Sequence, residues 1–311
     1  MTNGRHDLEA IEAALGDMPS AAFKARLRAQ LEQRIRESLE GSDMTSGLLT
    51  APGARPGFTA VTPYAQVQDV ERLIAFAKEV FGAKEVERSR GSAGGIHCEL
   101  RIGDSMVMVG GGVPPDAAGQ LRPARPAALH VYVDDVDAVY QRALDVGAES
   151  LGAPYDAHYG ERAGFVKDPT GNEWYIATHT GPSYSVEGLR TVTPSLRGSD
   201  ASAFIAFLEA AFGARVEMRA DDARGKVRHA VLRIEGAAVE LGEAHTPWEG
   251  LRTGMYLYVA DCDVLYRRAV AAGAKALHPP ADMPYGDRVG AVEDSWGNEW
   301  YIASHLPEKR T

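Results

Sequence analysis

The side chains in this sequence best equipped for chemistry are histidines, tyrosines and a few carboxylates that return at fixed intervals. His97 stands two residues before Glu99, and His229 repeats its position ahead of Val231. His130, Tyr132, Tyr175 and His179 are answered further on by Tyr256, Tyr258, Tyr301 and His305. An imidazole can take up a proton or ligate a cation near neutral pH. Zinc, nickel or iron needs several converging donors, and His97, Glu99 and His130, with His179, are the types that could supply them. Tyrosine faces instead attract flat or cationic organic molecules. A plainer reading stands beside each of these. A His that recurs on a sheet, as His97 and His229 do, is commonly a hydrogen-bonded structural residue, whereas His130 meets Tyr256 at its counterpart, which favours a role in the first cup over one shared by the fold. Tyr-Gly-Glu-Arg at 159–162 and Tyr-Gly-Asp-Arg at 285–288 repeat closely enough to read as loop ion pairs between acid and arginine.

Other chemistries find no footing. The glycines at 110–112 are followed neither by a helix nor by Gly-Lys-Ser/Thr, so they make no phosphate cradle. No Ser, His and Asp set with a nucleophile elbow occurs. Cys98 and Cys262 lie far apart without activating neighbours, and read as buried thiols of a reducing cytoplasm. The balance of 33 Lys and Arg against 43 Asp and Glu, a net charge of −10, repels nucleic acid and steers cations inward. No apolar run is long enough to span a bilayer, and the polar N-terminus is no signal-peptide core, so a cytoplasmic location is expected.

A repeat must position these residues. The stretch VTPYAQVQDVERLIAFAKEVFGAKEVER returns as TVTPSLRGSDASAFIAFLEAAFGARVEMR, and VYVDDVDAVYQRALDVGA as LYVADCDVLYRRAVAAGA. YGERAGFVKDPTGNEWYIATH returns as YGDRVGAVEDSWGNEWYIASH. Within a copy, period-two alternation over 61–67 predicts a strand. Asp69 can cap a helix carrying Leu73, Ile74, Ala77 and Phe81, and Gly82 suits its left-handed end. Strands around 84–90, 95–102 and 105–110 follow, with Gly103-Asp104 as a tight turn. The stretch 126–179 repeats this βαβββ order, with Asp135 as cap and Gly147 as stop. Four such units make two tandem α+β domains at 58–180 and 188–305, behind a helical arm and linker at 1–50. In the arm, Phe23, Leu27, Leu31, Ile35 and Leu39 form a stripe flanked by Lys24, Arg26, Arg28, Arg34 and Arg36. Packing on its own body or a sister subunit is the expectation, with an acidic partner or a membrane surface as the alternative.

The paired βαβββ order, the repeated Thr-Pro and Phe-Gly-Ala of the opening stretch, VYVDDVDA and the YGDRxGxxxDPxGNxW-like closing stretch resemble the glyoxalase/bleomycin-resistance superfamily, also called vicinal oxygen chelate proteins, with its PhnB-like branch as the nearest likeness. The resemblance covers about residues 58–305. It implies curved sheets around a cavity which metal-dependent members line with a His or Glu ligand from each of four strands. By register those positions fall on Thr62 and Thr193, Met108 and Glu240, Ala128 and Gly254, and Tyr175 and Tyr301. Too few of these can hold a divalent ion, so no cofactor is expected. The alternative is zinc, nickel or iron on shifted ligands, His97, Glu99 and His130.

Strand alternation then predicts what faces each cup. In the first copy these are Thr62, Tyr64, Gln66, His97, Glu99, Met106, Met108, His130, Tyr132, Tyr175 and His179. In the second they are Thr193, Ser195, Arg197, His229, Glu240, Tyr256, Tyr258, Tyr301 and His305. Trp174 and Trp300 should turn to the helix-facing core. The expected function is binding, extending to sequestration, of an aromatic or cationic small molecule, with one cup or both in use. The alternative is a metal-dependent lyase, isomerase or dioxygenase. The fused repeat can supply in one chain what single-domain relatives obtain by dimerising, so a monomer with an internal pseudo-dimer and a homodimer both stand.

Overall fold

A computed structural model describes residues 53–306, apart from Ser92, Ala118, 181–188 and Pro247. The stripe and basic faces of the arm lie outside the described residues. The four predicted units are all present. Unit one is β1 (Val61–Val67), α1 (Val70–Phe81), β2 (Lys84–Arg90), β3 (Ile96–Ile102) and β4 (Ser105–Gly111). Unit two is β5 (Ala128–Tyr132), α2 (Val136–Asp145), β6 (Glu149–Ala157), β7 (Glu161–Lys167) and β8 (Glu173–His179). Unit three is β9 (Val192–Gly198), α3 (Ala201–Phe212), β10 (Arg215–Asp221), β11 (Val227–Ile234) and β12 (Ala237–Glu243). Unit four is β13 (Gly254–Tyr258), α4 (Cys262–Ala271), β14 (Lys275–Asp282), β15 (Asp287–Glu293) and β16 (Glu299–His305).

Local chemistry sets the helix ends. The side chains of Asp69, Asp135, Asp200 and Asp261 accept hydrogen bonds from backbone N–H groups three residues on, each at 3.0 Å, which satisfies a donor the helix cannot. Gly82 ends α1 with φ +63°, a conformation that costs glycine no Cβ clash.

The strands assemble into two eight-stranded sheets, but not copy by copy. Sheet I runs β14-β15-β16-β13-β1-β4-β3-β2 and joins units one and four; sheet II runs β10-β11-β12-β9-β5-β8-β7-β6 and joins units two and three. The seams are short and antiparallel. Thr62 faces Tyr256 where β1 meets β13, and His130 faces Thr193 where β5 meets β9. The helix-side cores follow the opposite rule. Leu73, Phe76, Val80, Leu129, Val136, Trp174 and Ile176 pack within the first copy, and Phe204, Leu208, Phe212, Leu257, Leu265, Trp300 and Ile302 within the second. Each copy is therefore held together through its helices, while each curved sheet is completed by the other copy.

Strand parity is as expected, but the grouping of residues into cups is corrected by this exchange. Thr62, Tyr64, Gln66, His97, Glu99 and Met108 share sheet I with Tyr256, Tyr258, Tyr301 and His305. His130, Tyr132, Tyr175 and His179 share sheet II with Thr193, Arg197, His229 and Glu240. The reason is that four similar units offer four similar strand edges, and alternation along one strand says which side it shows but not which strand lies beside it. The most repeated motif also finds its explanation here. Asp168 accepts from the indole N–H of Trp174 at 2.9 Å and from Asn172, whose own side chain accepts from Ala127; Asp294, Trp300, Asn298 and Thr253 repeat this staple. It ties the opening strand of the unit to the closing one and keeps a buried indole N–H satisfied.

A half-chain cut within 181–188 leaves the free edges of β1 and β5 without their partners. It should run on size exclusion as a dimer or aggregate; a stable, cooperatively melting monomeric half would contradict the exchange.

Candidate functional site

The two cups differ in what fills them. In sheet I the cup is largely occupied by the chain itself. Phe58 packs edge-on against Tyr258 at 5.7 Å, and Arg55 lies over Phe58 at 4.6 Å while pairing with Glu99. Met106 and Met108 fill the floor beside Tyr256 and Tyr258. Those two tyrosines each donate to Asp287 Oδ2 at 3.0 Å, and His305 Nδ1 sits 2.8 Å from Asp287 Oδ1. Tyr64 lies against the backbone of Gly110, where any Cβ would come within 2.4 Å of its hydroxyl, and burial first of all pushes its phenol up to about 12. His97 packs edge-on against Tyr64 at 5.7 Å and stands 3.6 Å from Glu99. Gln66 donates to Tyr301 at 3.1 Å, and Tyr301 to Glu299 at 2.6 Å. What remains is a 390 Å³ recess bounded by Tyr64, Gln66, Arg122, Tyr301 and the glycine backbone at 110–112.

Sheet II holds an open cavity of 760 Å³, within the range of small-molecule sites. Its walls are aromatic. Phe165 stands 4.4 Å from both Tyr175 and Trp248, ring centre to ring centre, and Tyr155 stacks on Phe165 at 6.3 Å. Arg197 lies over Trp248 at 5.6 Å and pairs with Glu173. His179 stacks on Tyr132 at 4.5 Å, which places it behind the wall, and His229 lines the cavity. Thr193 lies buried at the seam.

At the base of this cavity two buried residues from different copies meet. His130 Nδ1 is 2.8 Å from Glu240 Oε1, and the residues are 4% and 5% exposed. The carboxylate fixes Nδ1 as the donor; Nε2 is then the acceptor of the neutral imidazole and a second donor of the imidazolium. That Nε2 is buried with no hydrogen-bond partner among the described residues, and Glu161 Oε2 lies 4.0 Å away. Burial alone would raise the Glu240 carboxyl, but the charge and hydrogen bond of His130 outweigh it and hold the carboxyl below the ordinary carboxylate value. Glu161 in turn accepts from Tyr132 at 2.7 Å and from Tyr175 at 3.3 Å, while Tyr175 and Tyr159 share a 2.6 Å hydrogen bond. Burial first, then neighbouring groups that include Glu161, push the hydroxyls of Tyr132 and Tyr175 far above the usual phenol range. They remain neutral donors at any working pH.

Glu161 and its counterpart Asp287 do not form the ion pairs with the adjacent arginines that the sequence leads one to expect. Arg162 instead pairs outward with Asp137 and Asp156, and Arg288 with Asp263 and Asp282. The acid begins the strand and takes the inward parity of Ala163 and Phe165, so alternation run back by one turn of the pattern would have found it. Trp248 had no such signal, since it lies in a loop outside any periodic stretch.

The seams also show which residues lie beside the expected ligand positions. The residue facing Thr193 is His130 and the one facing Thr62 is Tyr256, two residues beyond Ala128 and Gly254. Sheet I thus presents Thr62, Met108, Tyr256 and Tyr301, and sheet II presents Thr193, Glu240, His130 and Tyr175. The shifted set of His97, Glu99 and His130 is split between the two sheets. Among the described residues no three His, Cys, Asp or Glu side chains converge on one point, and in sheet II the two that come together are bonded to each other. This donor set does not fit a divalent ion, which takes three protein ligands in catalytic sites.

Both copies, over residues 58–176 and 189–302, match the Glyoxalase/Bleomycin resistance protein/Dioxygenase superfamily, and the chain belongs to it. An uncharacterized protein of Mycobacterium bovis is 38% identical over 123 residues, which cover 38% of this chain and 81% of the relative. CFP32 of the same organism, named a candidate glyoxylase, is 25% identical over 249 residues, covering 78% of this chain and 94% of its own. Glyoxalase I of Zea mays superposes with a TM-score of 0.59 at 16% identity, over 78% of this chain and 92% of that one, a likeness of fold. No helix among the described residues is long and apolar enough to cross a membrane.

The buried pair makes a stability prediction. A carboxyl held below 4.5 in the fold stabilises it above that pH and loses this contribution as pH falls through the lowered value. Glu240→Gln should therefore melt below wild type at neutral pH, and the gap should narrow on acidification below 4.5, followed by thermal denaturation across pH. Glu240→Ala, which strands a buried donor, should cost about 1–3 kcal/mol at neutral pH.

Proposed function

We propose that this chain binds a small flat organic molecule, aromatic and either neutral or cationic, in the cup of sheet II. The observation that carries this reading is the contrast between the cups: one is filled by Arg55, Phe58 and two methionines, and the other keeps 760 Å³ between aromatic walls. Phe165, Tyr175 and Trp248 offer faces for stacking, worth about 0.5–1.5 kcal/mol per aromatic pair beyond the area buried. Two buried carboxylates at the base, Glu161 and Glu240, and a net charge of −10 favour a cation over an anion. Holding the ligand requires no metal, and sequestration is the role that such an aromatic cup suits. Internal pairing of the units gives one chain both halves of each cup, so a monomer suffices for this function.

Titration with planar aromatic dyes, neutral and cationic, should quench tyrosine and tryptophan fluorescence and raise the melting temperature. Trp248→Ala should weaken binding by about fivefold to tenfold, from the loss of one stacking face, while Tyr64→Ala in sheet I should leave it unchanged. A library of such compounds giving neither quenching nor a thermal shift would remove the reading. Elemental analysis should find no stoichiometric zinc, nickel or iron, and a chelator should leave the melting temperature where it was.

A further inference from the structure

Hydrogen-bond satisfaction, burial and the comparison between the two cups converge on the same side chain. His130 Nε2 is one of three buried side-chain polar atoms that find no hydrogen-bond partner among the described residues, and it is the only one of the three on a titratable group. Leaving a polar atom buried and unpaired costs about 1–3 kcal/mol, so such an arrangement calls for a compensating use. The fold itself does not demand it. At the corresponding places in sheet I stand Tyr256, whose hydroxyl is satisfied by Asp287, and Met108, which cannot accept a proton. The pair is thus peculiar to the sheet that keeps an open cavity.

We propose that the sheet II cup is a metal-free general-base site in which His130 Nε2 takes a proton from an acidic C–H or O–H on the edge of a flat, electron-poor ligand. The proposal rests on the binding reading above and adds a reaction class to it. Glu240 is the positioning residue: it holds Nδ1–H, so the lone pair stays on Nε2, and it stabilises the imidazolium that forms. The groups facing His130 are Glu240 from β12, Tyr132 on its own strand, Glu161 from β7, Tyr175 from β8 and Thr193 from β9, with His229 of β11 beyond Glu240. The tyrosines stay protonated, which leaves the imidazole as the acceptor. His130 lines the cavity together with Tyr175, whose ring packs 4.3 Å from it and whose hydroxyl is hydrogen-bonded to the exposed Tyr159.

The probe is 5-nitrobenzisoxazole, a flat aromatic with one acidic ring C–H. His130 Nε2 removes that proton, the C–H electron pair becomes the third bond of a nitrile, the N–O bond breaks, and its pair leaves on a coloured phenolate. The imidazolium then returns its proton to water, so no oxidant or co-reactant is needed. Full-length protein should open the ring saturably and faster than an equal concentration of free imidazole, with a rate that rises with pH to a plateau. His130→Gln should lose about a hundredfold or more of this rate, the scale of general-base catalysis, while still binding the probe by fluorescence quenching. Glu240→Gln keeps an acceptor for Nδ1 but removes the charge, so the midpoint of its pH–rate profile should move to lower pH, a shift that a merely structural role would not produce. His130→Ala gives a second measure should the glutamine variant fold poorly. Quenching by the probe without acceleration, or full activity in either His130 variant, would overturn the inference and leave the binding reading standing. Absence of quenching by this and other flat aromatics would overturn both.

Discussion

The antiparallel pairing of opening strands across the seams is the interaction on which the rest depends. In sheet II it rests on Leu129, His130 and Val131 of β5 against Pro194, Thr193 and Val192 of β9. Because the ladder is antiparallel, residues on one face of the two strands converge around the seam, and those from the flanking strands β8 and β12 close in beside them. Glu240 reaches His130 across 110 positions of sequence only by this route. A shift of one residue in the pairing would send His130 to the helix side and Leu129 into the cup, so the hydrophobic patterning of both strands guards the site as well as the core.

Duplication allowed the two cups to diverge. Both keep an acid at the start of the third strand of a unit, Glu161 on β7 or Asp287 on β15, surrounded by tyrosines and a terminal histidine, which marks that cluster as part of the common construction. They part at the base. In sheet I, Glu99 is answered by Arg55 from the segment before β1, and the aromatic Phe58 seals the same space. In sheet II, Val231 stands where Glu99 would be, the carboxylate sits one strand over as Glu240, and its partner is an imidazole rather than a guanidinium. A guanidinium stays charged and serves as a fixed counterion, whereas an imidazole can exchange its proton. The same scaffold thus carries a structural ion pair in one cup and a titratable pair in the other.

The residues that repeat best between copies turn out to hold the fold, and those that repeat worst furnish the site. The Asp-Asn-Trp staple is identical in both copies because it satisfies the same buried indole and backbone donors in each. His130 and Glu240 have no such twin.

Helix caps, strand alternation, the four βαβββ units and the inward parity of nearly every cup residue are consequences of nearest-neighbour chemistry, and they were legible in the chain before any coordinates. Asp69 beside an amphipathic run, or Tyr175 alternating with Trp174, needs only local backbone geometry to be read. Which unit lies beside which could not be read, because four similar strand edges present equivalent hydrogen-bonding groups; the helices pack within each copy, while the opening strands pair across copies. That choice divided the expected residues between sheets I and II, put His130 rather than Ala128 opposite Thr193, and let Arg55 and Phe58 close one cup. Local sequence determined the side each residue shows; only the long-range assembly of the sheets determined its company, since contact between strands from different units is a property of the whole fold and of no single segment.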